Sequence, residues 1–430
     1  MNNWKDSGKP QSKRLSIAFF DYPDVFEDFY PHYGVDQKTF ATNWHNTANH
    51  GWIKIIQETI GDITWYVLSL KPELKEFRHQ KVGCKIKFIA SSWIHRKLWS
   101  LFYLPRSAWR LKRFYRFYAT IASYAAILSC PLIKALKRDK PDVIFVQDYA
   151  SGKYDMLVIF AKLQNIPLIT FHSGSTPEKY LGKFLRRFTI SKADWIFPSG
   201  QKELKMLEKK FNVSPEWMNI IRPPINVDVF KPIEREKACE ITKLGFEKRY
   251  WIFVGRLDVV KRISSIIEAF SIIAKDFSNI ELLIVGVGSE EKKLKQQVHE
   301  TIPNRVHFLG WISNDEEKAL LYNASECLIL ASWREASPAV IGEAFACGIP
   351  VASSDVGTIS DLVKPQFSGW LFPAGDDQAM LQCFLDIAAH PEKVRSMKSV
   401  VRKLAEDNVS IEKVTEALEV GFRSLKPIEK

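Results

Sequence analysis

The chain has 430 residues, 46% of them apolar, and a formal net charge of +12. That length and apolar fraction exclude a disordered or fibrous chain and lead us to expect two domains with full cores. The six cysteines, at positions 84, 130, 239, 327, 347 and 383, show no CxxC and no metal-ligand spacing, which argues against a disulfide scaffold or a zinc module.

Cys327 and Cys347 lie in apolar runs and read as buried thiols of a reducing compartment. The N-terminus has no apolar signal core. The longest nearly apolar run, residues 119–133, is 15 residues long and broken by Pro131, short of the roughly 20 needed to cross a bilayer. We therefore expect a cytoplasmic chain without a membrane span.

Leu15–Phe20 (LSIAFF) reads as a first strand after a basic tail. Residues 39–56 read as one helix with Phe40, Trp44, Ala48 and Ile55 on one face, and residues 63–70 as a strand. Between residues 77 and 138 there is no Asp or Glu but there are 14 Lys and Arg, which accounts for the whole charge excess. Residues 93–118 interleave those cations with nine aromatic side chains. That pattern suits an anionic membrane surface and so predicts peripheral membrane association. It also suits a solvated basic face whose aromatics enter the core. Nucleic acid is not expected as a partner, because no DNA or RNA motif accompanies the charge.

Strands follow at 142–147, 167–171 and 193–199, with helices at 157–163 and 201–210. His172 stands just past the C-terminal end of one strand, where open α/β sheets bind ligands, although a hydrogen-bonded loop histidine fits equally. Residues 221–232, rich in proline and without period, read as a linker.

A second α/β series starts with the strand at 250–254 and the loop Gly255-Arg256-Leu257-Asp258-Val259-Val260-Lys261-Arg262. Lys261 lies near the N-terminus of the next helix, where a cation opposes the helix dipole; an anionic ligand would offset that cost. Arg256, at the strand end, can add a bidentate phosphate contact. Both are also ordinary loop cations on a plainer view. The strand at 281–285 runs into Gly286-Val287-Gly288-Ser289, but Glu291 stands where a dinucleotide fingerprint needs its third glycine, so a dehydrogenase is rejected. Further strands are expected at 306–309, 326–331, 351–353 and 369–372, and helices at 315–323, 377–389, 391–406 and 411–425.

Residues 332–354 (SWREASPAVIGEAFACGIPVASS) organise the second half. Ser337 is a favoured N-cap, Pro338 suits the first helical position, and Gly348 with Pro350 ends the helix. Glu335 precedes the helix and Glu343 lies inside it. Between them the free N–H groups of a helix N-terminus favour a phosphate. An anion cradle flanked by carboxylates suits a sugar carried on a diphosphate. The plainer alternative is a solvated loop acid and a surface helix acid.

In order, VGRLDVVKR, LLIVGVGSEEKKL, VHFLGWI, EASPAVIGEAFACGIPVASSDVGTISDLV and SGWLFPAGD resemble the family-4 retaining glycosyltransferases of GT-B fold, over residues 250–376. TFHSGS around His172 and PPINVDVF at 223–230 are thinner matches. The resemblance implies an α/β GT-B architecture of two Rossmann-like domains facing across a cleft. Residues 1–232 would bind the acceptor and 233–410 the nucleotide-sugar donor, with a C-terminal helix at 411–430 crossing back. It implies that Arg256 and Lys261, beside Gly255, hold the donor diphosphate and that Glu335 meets sugar hydroxyls. The backbone of Ala336, Ser337, Pro338 and Ala339 would line sugar and phosphate, and Glu343 the ribose. His172 would sit across the cleft as a catalytic group, and the base near Gly310 and Trp311. The family is retaining and metal-independent, so no metal and no cofactor are expected; the acceptor would be a glycan or a lipid-linked molecule. A catalytically idle nucleotide-sugar-binding or scaffold protein of this fold is the rival reading. Two departures stand out. The glycine-rich loop usual after the first strand is missing from residues 21–33, and Thr358-Ile359 replaces the usual glycine and small residue.

Overall fold

A computed structural model describes residues 14–42, 47–73, 75–102, 112–172 and 183–425. The basic tail at 1–13, the middle of the basic aromatic segment at 103–111, the Ser-Gly-Ser after His172 and the last five residues lie outside this set.

Two sheets follow one another along the chain. The first holds β1 (Leu15–Phe20), β2 (Gly61–Ser69), β3 (Glu76–Arg78), β4 (Lys85–Ala90), β5 (Val143–Gln147), β6 (Leu168–Phe171) and β7 (Trp195–Phe197), in the order β3-β4-β2-β1-β5-β6-β7. The second holds β8 (Arg249–Val254), β9 (Ile280–Val285), β10 (Val306–Gly310), β11 (Ser325–Leu330), β12 (Val351–Ser354) and β13 (Gly369–Phe372), in the order β10-β9-β8-β11-β12-β13. Every pairing is parallel except β3 with β4. Strands such as YWIFV and ELLIV are apolar on both faces because helices cover both faces of a parallel sheet. The order of each sheet reverses beside its first strand, which opens a crevice at the strands' C-terminal ends.

The two domains share their crossings. In the linker, the Ile225 amide donates to Val409 O (2.7 Å), and the Ile411 amide donates to Ile225 O (3.2 Å). The outgoing and returning chains therefore lie side by side. The returning helix, Ile411–Arg423, places Val414, Leu418 and Phe422 in the first domain's core, with Phe422 against Phe145. Arg402 donates to Val227 O, Phe230 O and Ala346 O, tying the linker to the helix Ala339–Ala346.

Several sequence expectations need revision. Of the helix expected over 39–56 the structure describes Gln37–Thr42 and Thr47–Thr59, with Trp44 outside the described residues, and the helix at 391–406 is Pro391–Ser396 followed by Lys398–Asn408. Strand β4 and the helix Arg235–Thr242 were not foreseen. The acid-free stretch is bounded by Glu76 and Asp139, and these two acids take up part of its charge. Lys87, buried at 6% exposure, pairs with Asp139 at 2.5 Å; Arg138 pairs with Asp139 at 3.0 Å and Lys85 with Glu76. Burial works to raise the Asp139 carboxyl, but Lys87, Tyr66 and Arg138 outweigh it and hold it at about 2.

Among the described residues no single helix is long and apolar enough to cross a membrane. Residues 120–139 form two helical pieces bent by 48°, and their Ala126, Ile127, Leu132, Ala135 and Leu136 are core residues. Cys327 and Cys347 are buried free thiols.

The loop after β1 is held by a buried lysine instead of by glycines. Lys153 Nζ donates to the carbonyls of Asp21 and Pro23 (2.6 Å for the latter), and Tyr30 donates to Asp21 Oδ2. In the same loop, burial and the nearby Asp24 push the Asp28 carboxyl up to about 8. The folded state therefore keeps a proton that the unfolded chain releases near pH 4. Stability falls as pH rises from about 4 towards 8, with one proton bound only by the folded state. Urea melts at pH 5 and pH 8 should show this fall in the wild type, and a flatter profile in Asp28→Asn.

Candidate active site

The second domain's loops meet at the C-terminal ends of β8, β9 and β11. Gly286, at φ +138°, donates its amide to Gly310 O (2.7 Å), and a Cβ on it would lie 1.9 Å from Gly255 O. A Cβ on Gly288 would lie 2.5 Å from Leu257 O, while the Leu257 amide donates to Val287 O (2.9 Å). The GVG glycines therefore let adjacent loops stack backbone on backbone, a packing use and not a dinucleotide cradle.

Val259–Lys261 forms a 3₁₀ turn ahead of the helix Ile263–Asp276. That turn is fastened to the loop after β11. The Trp333 amide donates to Val260 O at 2.8 Å, and the Arg262 guanidinium lies over the Trp333 ring at 4.6 Å. This fastening brings Lys261 Nζ to 2.5 Å from Glu335 Oε1, which also accepts from Ser332 Oγ at 2.7 Å. Both partners are mostly buried, with side chains 18% and 11% exposed. The carboxylate of Glu335 thus supplies the compensation for Lys261 that the sequence assigned to a ligand. A ligand phosphate at Lys261 would compete with Glu335 for it. Arg256 is half exposed and pairs with Asp258 at 3.1 Å.

The helix at the centre of the motif is Ala339–Ala346, with Pro338 itself as N-cap (φ −70°, ψ 120°) and no side-chain cap. This corrects the expectation that Ser337 caps and Pro338 opens the helix: the ψ of Pro338 is extended, so the helix begins one residue later. Residues 335–340 remain partly accessible, so the turn is not sealed. Its shape is fixed by the neighbouring loop. Thr358 donates to Ala336 O through its amide (3.1 Å) and its hydroxyl (2.9 Å). Gly357 has φ +59° and its Cβ would meet Glu335 O at 2.1 Å, so backbone conformation and close approach both require glycine there. Thr358, a departure from the family pattern, is what holds Ala336.

Glu343 is not a surface residue. It is 2% exposed, with Oε2 accepting from Tyr322 (2.9 Å) and Oε1 from Lys318 (3.4 Å). Burial raises its carboxyl pKa despite Lys318. As found, its carboxylate is engaged by Tyr322 and Lys318. Gly310 adopts φ +70°, and Trp311 beside it is 69% exposed.

On the first domain, His172 Nδ1 lies 2.8 Å from Glu203 Oε2, and its ring stacks on Tyr149 with centroids 5.3 Å apart. Glu203 also accepts from the Ser199 amide (2.8 Å), the Ser199 hydroxyl (2.7 Å) and the Tyr149 hydroxyl. Burial acts to raise its pKa, but His172, Tyr149 and Ser199 win and hold it below the usual glutamate value. Sequence reading missed Glu203 and Tyr149. The one available signal was a glutamate three residues into a helix that follows a strand end.

Two family patterns match the chain, Glycosyl transferases group 1 at residues 234–404 and Glycosyltransferase Family 4 at residues 103–229. Glycosyltransferase family models thus match both halves of the chain. Curated relatives of this chain include D-inositol 3-phosphate glycosyltransferases. That of Mycobacteroides abscessus is 29% identical over 47% of this chain and 46% of its own length. That of Mycobacterium bovis is 24% identical over 58% of this chain and 52% of its own. The chain thus spans about half the length of the curated relatives it matches. Among solved structures, Anabaena HepE in complex with UDP aligns with TM-score 0.70 at 16% identity, covering 96% of this chain and all of that one. The sucrose-phosphate synthase of Thermosynechococcus elongatus aligns with TM-score 0.69 at 18% identity, covering 95% and 98%. These likenesses establish the GT-B fold.

Proposed function

We propose that this protein transfers a hexose from a nucleotide-sugar donor to a glycan or lipid-linked acceptor, with retention at the anomeric carbon. The observation that carries this reading is the Lys261–Glu335 pair at 2.5 Å, beside the start of the helix Ala339–Ala346. It sets a cation, a carboxylate and main-chain amides around one small volume. In the reaction the sugar's bond to the diphosphate breaks, and negative charge grows on the leaving group. Lys261, the helix-end amides and Arg256 stabilise that charge where it develops, each contact contributing about 2.7–4 kcal/mol by analogy with oxyanion donors. With cations of the protein doing this work, the reading needs no metal. Glu335, once released by Lys261, accepts from the sugar hydroxyls. Trp311 offers a face to the base, and Glu343 would have to turn from Lys318 and Tyr322 to reach the ribose. His172, held by Glu203, faces the sugar from the first domain. The names of relatives and neighbours fit this donor class: HepE was solved with UDP and with UDP-glucose.

The acceptor side favours a membrane surface. The helix Trp93–Phe102 exposes Trp93, Ile94 and Leu101 on one side with Lys97, whose Nζ sits 4.4 Å over the Trp93 ring. A cation beside exposed apolar groups fits anionic headgroups, with the protein working from the cytoplasmic face. Vesicle flotation should show binding to anionic vesicles and none to neutral ones; equal binding to both would remove this part of the reading.

Incubation with UDP-, GDP- and ADP-sugars, without acceptor, tests the reaction itself. Slow release of nucleoside diphosphate is expected for one base. Donor binding with no release over days would favour the idle binding protein.

A further inference from the structure

One seam joins the two halves of the proposed site. The helix Gln201–Phe211 has Gly200 as N-cap, with fully extended backbone (φ −178°, ψ 179°) and no side-chain cap. Any residue adopts that conformation, so the local backbone does not ask for glycine. The other domain does. A Cβ on Gly200 would lie 2.1 Å from Asp361 Oδ2 and 2.6 Å from Thr358 Cγ2.

Asp361 takes the capping role that Gly200 cannot. Its Oδ2 accepts from the Gln201 amide at 2.6 Å, across 160 residues of sequence. A carboxylate at this helix N-terminus satisfies a first-turn amide and favours the dipole. The Arg222 guanidinium of the linker lies 3.6 Å from the same oxygen, both side chains being about nine-tenths buried. At the rim Lys202 pairs with Asp355 at 2.9 Å.

The seam reaches both sides of the site by short links. Two residues beyond Gln201 is Glu203, which holds His172. Three residues before Asp361 is Thr358, which holds Ala336 beside Glu335. We infer that Gly200 and Asp361 are positioning residues that register His172 against the donor pocket. This rests on the transferase reading of that pocket. Gly200 is the contact surface and Asp361 the cap, and neither touches the substrate.

The test uses the full chain with Gly200→Ala, Asp361→Ala and Asp361→Asn, read in two ways. Hydrogen exchange at the Gln201 amide needs no substrate. It should be at least tenfold faster in Gly200→Ala and Asp361→Ala than in the wild type, with Asp361→Asn in between, since its amide oxygen still accepts. Turnover of the nucleotide sugar the wild type accepts should show kcat down at least tenfold in Gly200→Ala, with affinity for that sugar's nucleoside diphosphate within twofold of wild type. A merely structural role would lower affinity, melting temperature and kcat together. Unchanged exchange in both alanine variants overturns the inference, and so does wild-type kcat in Gly200→Ala. If the wild type turns over no nucleotide sugar, the transferase reading fails and the exchange experiment alone decides the seam. Should Gly200→Ala not fold, the two Asp361 variants carry both readouts.

Discussion

Lys261→Ala is expected to lower the proposed sugar transfer by about 10²–10³-fold, the size found when one donor to a developing oxyanion is removed. The lysine is brought to the site by the 3₁₀ turn Val259–Lys261, and the Trp333–Val260 hydrogen bond fixes that turn on the loop bearing Glu335. Truncation also strands Glu335, which keeps Ser332 as a partner but loses its counter-charge. That costs about 1–3 kcal/mol of stability. Two effects would then be mixed, and a second change separates them. Lys261→Ala with Glu335→Gln removes the stranded charge, so most of the lost stability returns while transfer stays low. Recovery of transfer in the double variant would show that Lys261 serves only to neutralise Glu335.

Glu203→Gln is the second large effect expected. Glu203 is buried and binds His172, Tyr149 and both donors of Ser199. The amide nitrogen of Gln cannot accept, so either Tyr149 loses its acceptor or His172 and Ser199 lose theirs, and in both cases the carboxylate charge that holds the His172 ring is gone. Partners that orient metal-ligating histidines typically contribute about 10–100-fold, and by analogy a loss of that order is expected in kcat. There is a pH signature as well. The folded pKa of Glu203 lies below its unfolded value, so its stabilisation is complete above about pH 4.3 and lost as pH falls through the folded value. Acid melts of the wild type should carry this dependence and those of Glu203→Gln should lack it. Equal acid profiles with full activity would reduce Glu203 to packing.

How much of this was legible beforehand follows from where the information sits. LSIAFF and GWLF are strands at the bounds the sequence gives, and ELLIV and YWIFV within a residue, because buried parallel strands are continuous apolar runs. Strand β4, KIKFIA, was hidden by its lysines. Lys87 can be buried because Asp139, which also accepts from Tyr66, pairs with it from 52 residues away. The loops around Lys261 and Glu335 were recognisable as a set, since each lies after an apolar strand and before a helix. Their contact at 2.5 Å was not, being 74 residues apart. Ser337 misled by propensity: a good capping residue does not cap when the next residue's ψ is extended. Glu343, assigned to the ribose from the family motif, gave no sign of its partners Lys318 and Tyr322, which lie 25 and 21 residues away. The Gly200–Asp361 seam was beyond reach, because nothing local distinguishes that glycine from any other loop glycine.

The most direct test of the account is calorimetric titration of UDP, GDP and ADP, and of the matching monophosphates, into the wild type and Lys261→Ala. The account expects one diphosphate to bind the wild type with a clear preference over its monophosphate, and Lys261→Ala to lose at least tenfold in affinity. Binding that is indifferent to the second phosphate, or equal in the two proteins, would contradict it.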